Sequence, residues 1–141
     1  MRYRSAAFTL VEILIVVVIL GILAAITVPQ FASATGEAQK TATFDQLTKV
    51  RQALAVYYVR NNAHFPDVVA GDGTWGQLMT EGYLKKKPFN FWIGGGAATV
   101  ITIGGSPDSA YQDGYGWIYD PGSGSVWAGS FDAADAPYAQ P

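Results

Sequence analysis

The stretch Ala7-Phe8-Thr9-Leu10-Val11-Glu12-Ile13 opens an apolar run that continues from Leu14 to Val28. Between Ala6 and Val28 the one ionisable side chain is Glu12. A run of this length and composition is read as a bilayer span. A carboxylate inside it is unfavourable and calls for a partner. Arg2 and Arg4 precede the run, and positive charge ahead of a first span predicts a cytoplasmic N-terminus with the rest of the chain outside. Two processing schemes fit. In one, the run is the apolar region of a secretory signal peptide, and Ala32-Ser33-Ala34 supplies an A-x-A cleavage site. In the other, only residues 1–7 are a leader and the span stays attached. Glu12 favours the second, because an acid gains nothing in a peptide that is discarded.

Residues Ala7 to Ile13, the apolar run behind them and Pro29 near its end resemble the processing site of type IV pilins and type II secretion pseudopilins. The family pattern is a small residue, then Phe, Thr, Leu, a branched apolar residue and Glu. The resemblance implies cleavage between Ala7 and Phe8 by a prepilin peptidase, and N-methylation of the new terminus at Phe8. It also implies that Glu12 pairs with the terminal amine of a neighbouring subunit. The expected partners are further copies of the chain, joined through their N-terminal helices, and minor pseudopilins. An inner-membrane assembly platform with its ATPase, and the inner membrane itself, complete the set. At position 7 the family nearly always has Gly, so Ala7 predicts slower cleavage.

Outward from the span the pattern stays helical. Gly21 and Pro29 are its weak points: Pro29 removes a backbone donor and predicts a kink, and the segment between them is expected to unwind locally when subunits pack. Gly21, Ala24, Ala25 and Thr27 are small enough for close helix approach. After Gly36 a helix is expected to resume, with Phe44, Leu47, Val50, Leu54 and Tyr57/Tyr58 forming a core-facing stripe and Arg51, Lys49, Gln46 and Asp45 on other faces. A single helix over residues 8 to 60 would be about 80 Å long at about 1.5 Å per residue. Asn61 to Pro66 should end it. Thr74 reads as the N-cap of a short helix over Trp75 to Thr80, with Gly82 past its end.

The last third reads as antiparallel sheet. Ala98 to Ile103, Gly114 to Tyr119 and Ser125 to Ala128 are the strands, and Asp120-Pro121-Gly122-Ser123-Gly124 turns the last two into a hairpin. Trp117, Tyr119 and Trp127 would then make cross-strand aromatic contacts, and the tail from Phe131 would be irregular. The Asn61-to-Pro66 turn, Trp75-Gly76-Gln77-Leu78 and Gly82-Tyr83-Leu84 are similar to the globular domain of the major (G-type) pseudopilin. The expected fold is therefore α+β and pilin-like: a long N-terminal helix, transmembrane then amphipathic, against a small antiparallel sheet. The expected parts are a leader at 1–7, a transmembrane and polymerisation helix at 8–29, and a periplasmic domain at 30–141 that includes the helix to about residue 60.

Composition narrows the function. The 141 residues carry 9 basic and 11 acidic side chains, a net charge of −2 that gives no support to a nucleic-acid partner. With no cysteine and one histidine, His64, a cysteine nucleophile and a His-rich zinc site are unavailable. Gly94-Gly95-Gly96 lacks the Lys-Ser/Thr of a phosphate loop. Lys85-Lys86-Lys87 is the single basic run and reads as a solvated loop. The major-pseudopilin resemblance implies a calcium site after the last strands. Asp132 and Asp135 lie in about the right region, with Asp108, Asp113 and Asp120 as other possibilities, but their spacing matches no calcium loop. The expected function is a structural, non-enzymatic subunit: the major pseudopilin of a type II secretion system, helping to export folded proteins. A type IV pilus subunit is the near alternative, and a soluble secreted module released after Ala34 is the alternative of another class.

Overall fold

A computed structural model describes residues 8–71 and 73–141. The leader, residues 1–7, and Ala7 with it, lie outside the described residues. The chain divides into two compact units, one ending at Glu37 and one covering Ala38–Pro141. Helix α1 (Leu10–Arg60) contributes to both.

In the first unit, every described residue of α1 up to Phe31 is exposed. Consecutive Val, Ile and Leu make the helix apolar on all sides, a pattern that needs surroundings of lipid or other helices. Helix is continuous through Gly21, Pro29 and Gly36. The expected restart after Gly36 is therefore corrected to one uninterrupted element. A helical Gly costs about 1 kcal/mol and a Pro about 3, penalties confined to single turns of a much longer ladder.

In the second unit, α1 buries Thr43, Leu47, Val50, Leu54 and Tyr57, spaced by alternating four- and three-residue steps. The expected stripe began one residue late: Phe44 is 46% exposed and Tyr58 36%. Thr43 takes the buried place because its hydroxyl has polar company. It donates to Asn90 Oδ1 at 3.3 Å and accepts from the Trp92 N–H at 3.1 Å. Asn90 is fully buried, and its amide nitrogen donates to the carbonyls of Gly116 and Gly129 at 2.9 and 3.0 Å. One asparagine thus joins α1 to two loops, which a buried amide does only when its bonds are filled.

The helix ends as expected. Asn62 and Ala63 turn left-handed, with φ of 52° and 61°. His64 Nδ1 lies 2.9 Å from the Asn62 carbonyl, the geometry of a turn residue. The next helix is shorter than expected: α2 is Gln77–Thr80, capped by Gly76 rather than Thr74. Trp75 leaves the helical region, at φ 55°, and its ring is fully buried. Gly82 follows α2 at φ 80°, where a left-handed stop was expected.

The sheet corrects the antiparallel expectation. Strands β1 (Ile101–Ile103), β2 (Trp117–Asp120) and β3 (Ser125–Ala128) lie in the order β1-β2-β3. β2 and β3 form the expected hairpin, antiparallel, with Asp120 opposite Ser125. β1 and β2 are parallel, with Ile101 opposite Trp117. The sheet is therefore mixed. The connection from Gly104 to Gly116 is long enough for the crossover that a parallel pair needs. A 3-10 turn over Gly96–Thr99 replaces the first part of the expected strand. Trp127 faces Ile118 rather than another aromatic. Trp117 and Tyr119 instead meet Trp75 edge-on, at ring separations of 6.3 and 5.9 Å. These rings share one core with Leu47, Val50, Leu54, Leu78, Ile101 and Phe131. Gly124, at φ 70° in the hairpin turn, sits against the Phe65 ring, and a Cβ there would collide with it.

Three phenols are hydrogen-bonded within the second unit, Tyr57 and Tyr119 in the core and Tyr115 half-buried beside it. Tyr119 donates to the Pro66 carbonyl at 3.0 Å, Tyr57 to Gln77 Oε1 at 2.6 Å, and Tyr115 to Asp108 Oδ1 at 2.5 Å. Burial raises the pKa of all three, and with the Asp108 hydrogen bond it pushes Tyr115 from 10.0 up to about 12. A raised folded pKa favours the neutral phenol, so its stabilisation is complete below pH 10 and lost as pH climbs through the folded value. We expect the melting temperature to hold up to about pH 10 and to fall towards about pH 12 as these phenols ionise. Melting followed by circular dichroism alongside tyrosinate absorbance tests this; full ionisation of all tyrosines near pH 10 without loss of structure would contradict it.

Candidate assembly site on the N-terminal helix

The sequence places the one acid of its apolar run two residues into α1, and the structure gives that acid a local partner. Glu12 Oε2 accepts from the Thr9 backbone N–H at 2.9 Å and from the Thr9 hydroxyl at 2.8 Å. In return the Glu12 N–H donates to Thr9 Oγ1 at 3.2 Å. This reciprocal pair is a capping box, in which side chains three residues apart satisfy donors that a helix start leaves open. The sequence signal was present as Thr9-x-x-Glu12 but is easily missed, because it stands before an apolar run whose length dominates the reading. The Glu12 carboxylate is thus organised within the subunit while remaining exposed.

Around it the helix surface is apolar and open. Phe8 is 77% exposed and Leu10 82%. Gly21 is surrounded by open space: a Cβ added there meets nothing within 4 Å. The subunit's own packing therefore does not account for a glycine at this position. Thr27 and Thr35 return their hydroxyls to the carbonyls of Leu23 and Phe31, at 3.0 and 2.9 Å, so neither leaves a free donor on the apolar surface. Ala34, the alternative cleavage point, lies inside α1. Phe8 precedes the helix; Gly21 and Pro29 fall within it, and no unwinding interrupts the single subunit there.

Four of the five acids considered for calcium accept hydrogen bonds from within the chain. Both oxygens of Asp135 face Arg51, and Asp132 Oδ1 accepts from the N–H groups of Ala134 and Ala136 at 2.8 and 2.9 Å. Asp108 holds Tyr115, Gln112 and the Ser130 N–H. Asp120 accepts from the Ser123 hydroxyl and the Gly122 N–H within the hairpin turn, which keeps its carboxyl below the usual range. Among the described residues, no three His, Cys, Asp or Glu side chains are placed to share a metal. Lys85, Lys86 and Lys87 are exposed.

Residues 2–28 match the prokaryotic N-terminal methylation motif, a match that runs across Ala7. Over 101 residues the chain is 37% identical to the type II secretion system core protein G of Pseudomonas aeruginosa, covering 64% of this chain and 70% of that protein. The chain belongs to the type II secretion core protein G family. Its Pectobacterium carotovorum relative of the same name is 32% identical over 89 residues, 63% of this chain and 54% of the relative. A type IV narrow pilus major component of Thermus thermophilus is 42% identical over 57 residues, 40% of this chain and 49% of that protein. No solved structure matches. In this core protein G homologue, then, a capped acid begins an apolar helix whose described residues are exposed up to Phe31.

Capping and charge can be separated by substitution. Thr9→Ala removes the Thr9 hydroxyl from the box, at a cost of about 1 kcal/mol to the helix start. Glu12→Gln keeps an acceptor at the third helical position, which a capping box also uses. In detergent micelles, amide exchange in the first turn of α1 should quicken roughly fivefold in Thr9→Ala and stay near wild type in Glu12→Gln. Unchanged exchange in Thr9→Ala would remove the cap from the account.

Proposed function

We propose that this chain is the major subunit of a type II secretion pseudopilus. It is made as an inner-membrane precursor with a cytoplasmic leader and a periplasmic domain. A prepilin peptidase cleaves it between Ala7 and Phe8, Phe8 is methylated, and the subunit polymerises through α1. It acts as a structural component and not as an enzyme. One observation carries this reading: α1 is apolar on every side and exposed at each described residue up to Phe31. Its partners must therefore lie outside the subunit, first lipid and then other copies of itself. One patch meeting a different patch on the next copy gives an open helical polymer.

Glu12 gives the polymer its register. Cleavage before Phe8 creates a cationic amine close to Glu12 in sequence. Within the fibre the amine of a neighbouring subunit can reach the carboxylate, which the Thr9 cap holds in place. Leaving one partner of a buried ion pair without the other costs about 3–5 kcal/mol, several times the worth of the cap. Gly21 and its open surroundings support close approach by a second helix, with the segment from Gly21 to Pro29 free to unwind as the fibre forms. Minor pseudopilins, the assembly platform and its ATPase are the further partners of this reading. The pilus alternative draws on the Thermus pilus relative. The wider match to core protein G favours the pseudopilus.

N-terminal sequencing of mature protein should begin at methylated Phe8; a terminus at Thr35 would overturn the proposal. Glu12→Gln, with its cap intact, should lower fibre yield in electron micrographs on the order of a hundredfold, the equivalent of ~3 kcal/mol. Deleting the gene should strand exported proteins in the periplasm. Normal export with lost surface fibres would favour the pilus reading.

A further inference from the structure

Arg51 stands on α1 outside the core-facing stripe, and its guanidinium turns back onto the closing segment of the chain. Nη1 donates to Asp135 Oδ2 at 2.6 Å, and Nη2 donates to Asp135 Oδ1 at 2.9 Å and to the Val126 carbonyl at 3.0 Å. This two-pronged contact matches the planar fork of arginine to the carboxylate. It ties three parts of the second unit together: α1, strand β3 and the loop after Phe131.

That loop is closed on itself. Asp132 N–H donates to the Ala136 carbonyl at 2.9 Å, and Asp135 N–H to the Asp132 carbonyl at 3.1 Å. Asp135 holds a left-handed φ of 57°, a conformation that non-glycine residues adopt rarely and only when their contacts require it. Tyr138 then docks the tail, its N–H on the Ser130 carbonyl and its hydroxyl on the Asp108 carbonyl.

A calcium ion takes six to eight oxygen ligands, several of them carboxylates. Here the two acids of the loop are engaged from within: Asp135 is ion-paired with Arg51, and Asp132 Oδ1 accepts from the loop's own amides. We infer that the Arg51 guanidinium occupies the role a divalent cation would otherwise fill, so that this subunit closes its C-terminal loop without calcium. The arrangement lies wholly within Ala38–Pro141 and does not depend on which fibre the subunit builds.

The test uses the full-length chain in detergent micelles, melted with excess EDTA and again with calcium chloride at several millimolar. The wild-type melting temperature should be the same in both. A rise of several degrees with calcium would overturn the inference, because a ligand that binds the folded state stabilises it by mass action. Arg51→Gln and Asp135→Asn should each lower the melting temperature by roughly 4–8 °C. The double variant should fall no further than the worse single, since both remove one shared contact, and Arg51→Lys should lie between Arg51→Gln and wild type. Fully additive losses, or variants that melt like wild type, would also overturn it. Should a variant fail to fold, the wild-type calcium comparison decides alone. N-terminal sequencing of the same preparation tests the processing scheme separately.

Discussion

A helix that is apolar on every side has no stable surroundings within a subunit of this size, and the rest of the protein follows from that constraint. Every described residue from Leu10 to Phe31 is exposed. Each exposed Leu, Ile or Val there forgoes about 1.5–3 kcal/mol of burial, so the segment is strongly driven into lipid or against like helices. The remainder of the chain must then fold without drawing on these residues. It does so on the second half of the same helix, where Leu47, Val50, Leu54 and Tyr57 meet Trp75, Trp117, Tyr119 and Phe131.

The two halves of α1 thus share a backbone and obey different rules. Near the start, one carboxylate stands in an apolar surface and is steadied by Thr9. Further along, Thr43 and Asn90 enter the core with hydrogen-bond partners in place. Arg51 marks the edge between core and solvent, its charge paired with Asp135. A polar side chain is tolerated in each place for the same reason: the cost of desolvation is offset by a partner already in position. What differs is where the partner lies: beside Glu12 in sequence, or far along the chain for Arg51 and Asn90.

This difference explains which features were legible in the residues alone. The hairpin at Asp120 to Ser125 was readable because turn chemistry is local. The turn at Asn61 to His64 was readable for the same reason. The Thr9-Glu12 cap is equally local and was present in the sequence, hidden by the stronger signal of the span. The parallel pairing of β1 with β2 had no local signal, since strand direction depends on how the connection from Gly104 to Gly116 crosses over. The first member of the helix stripe, Thr43 in place of Phe44, was likewise invisible. Phe44 outranks Thr43 by hydrophobicity, and only Asn90 and Trp92, folded against it, make Thr43 the better buried residue.

By itself the sequence determined the membrane-length helix, the acid near its start, the methylation motif over residues 2–28 and the α+β class, because all of these rest on composition and short-range order. Tertiary structure alone decided the mixed sheet, the inward turn of Trp75, the Asn90 hub and the fate of Asp132 and Asp135. Those depend on which distant groups arrive at the same place. An acid in a turn looks the same in sequence whether it awaits a metal, water or an arginine. Only the position of Arg51 across the fold distinguishes them.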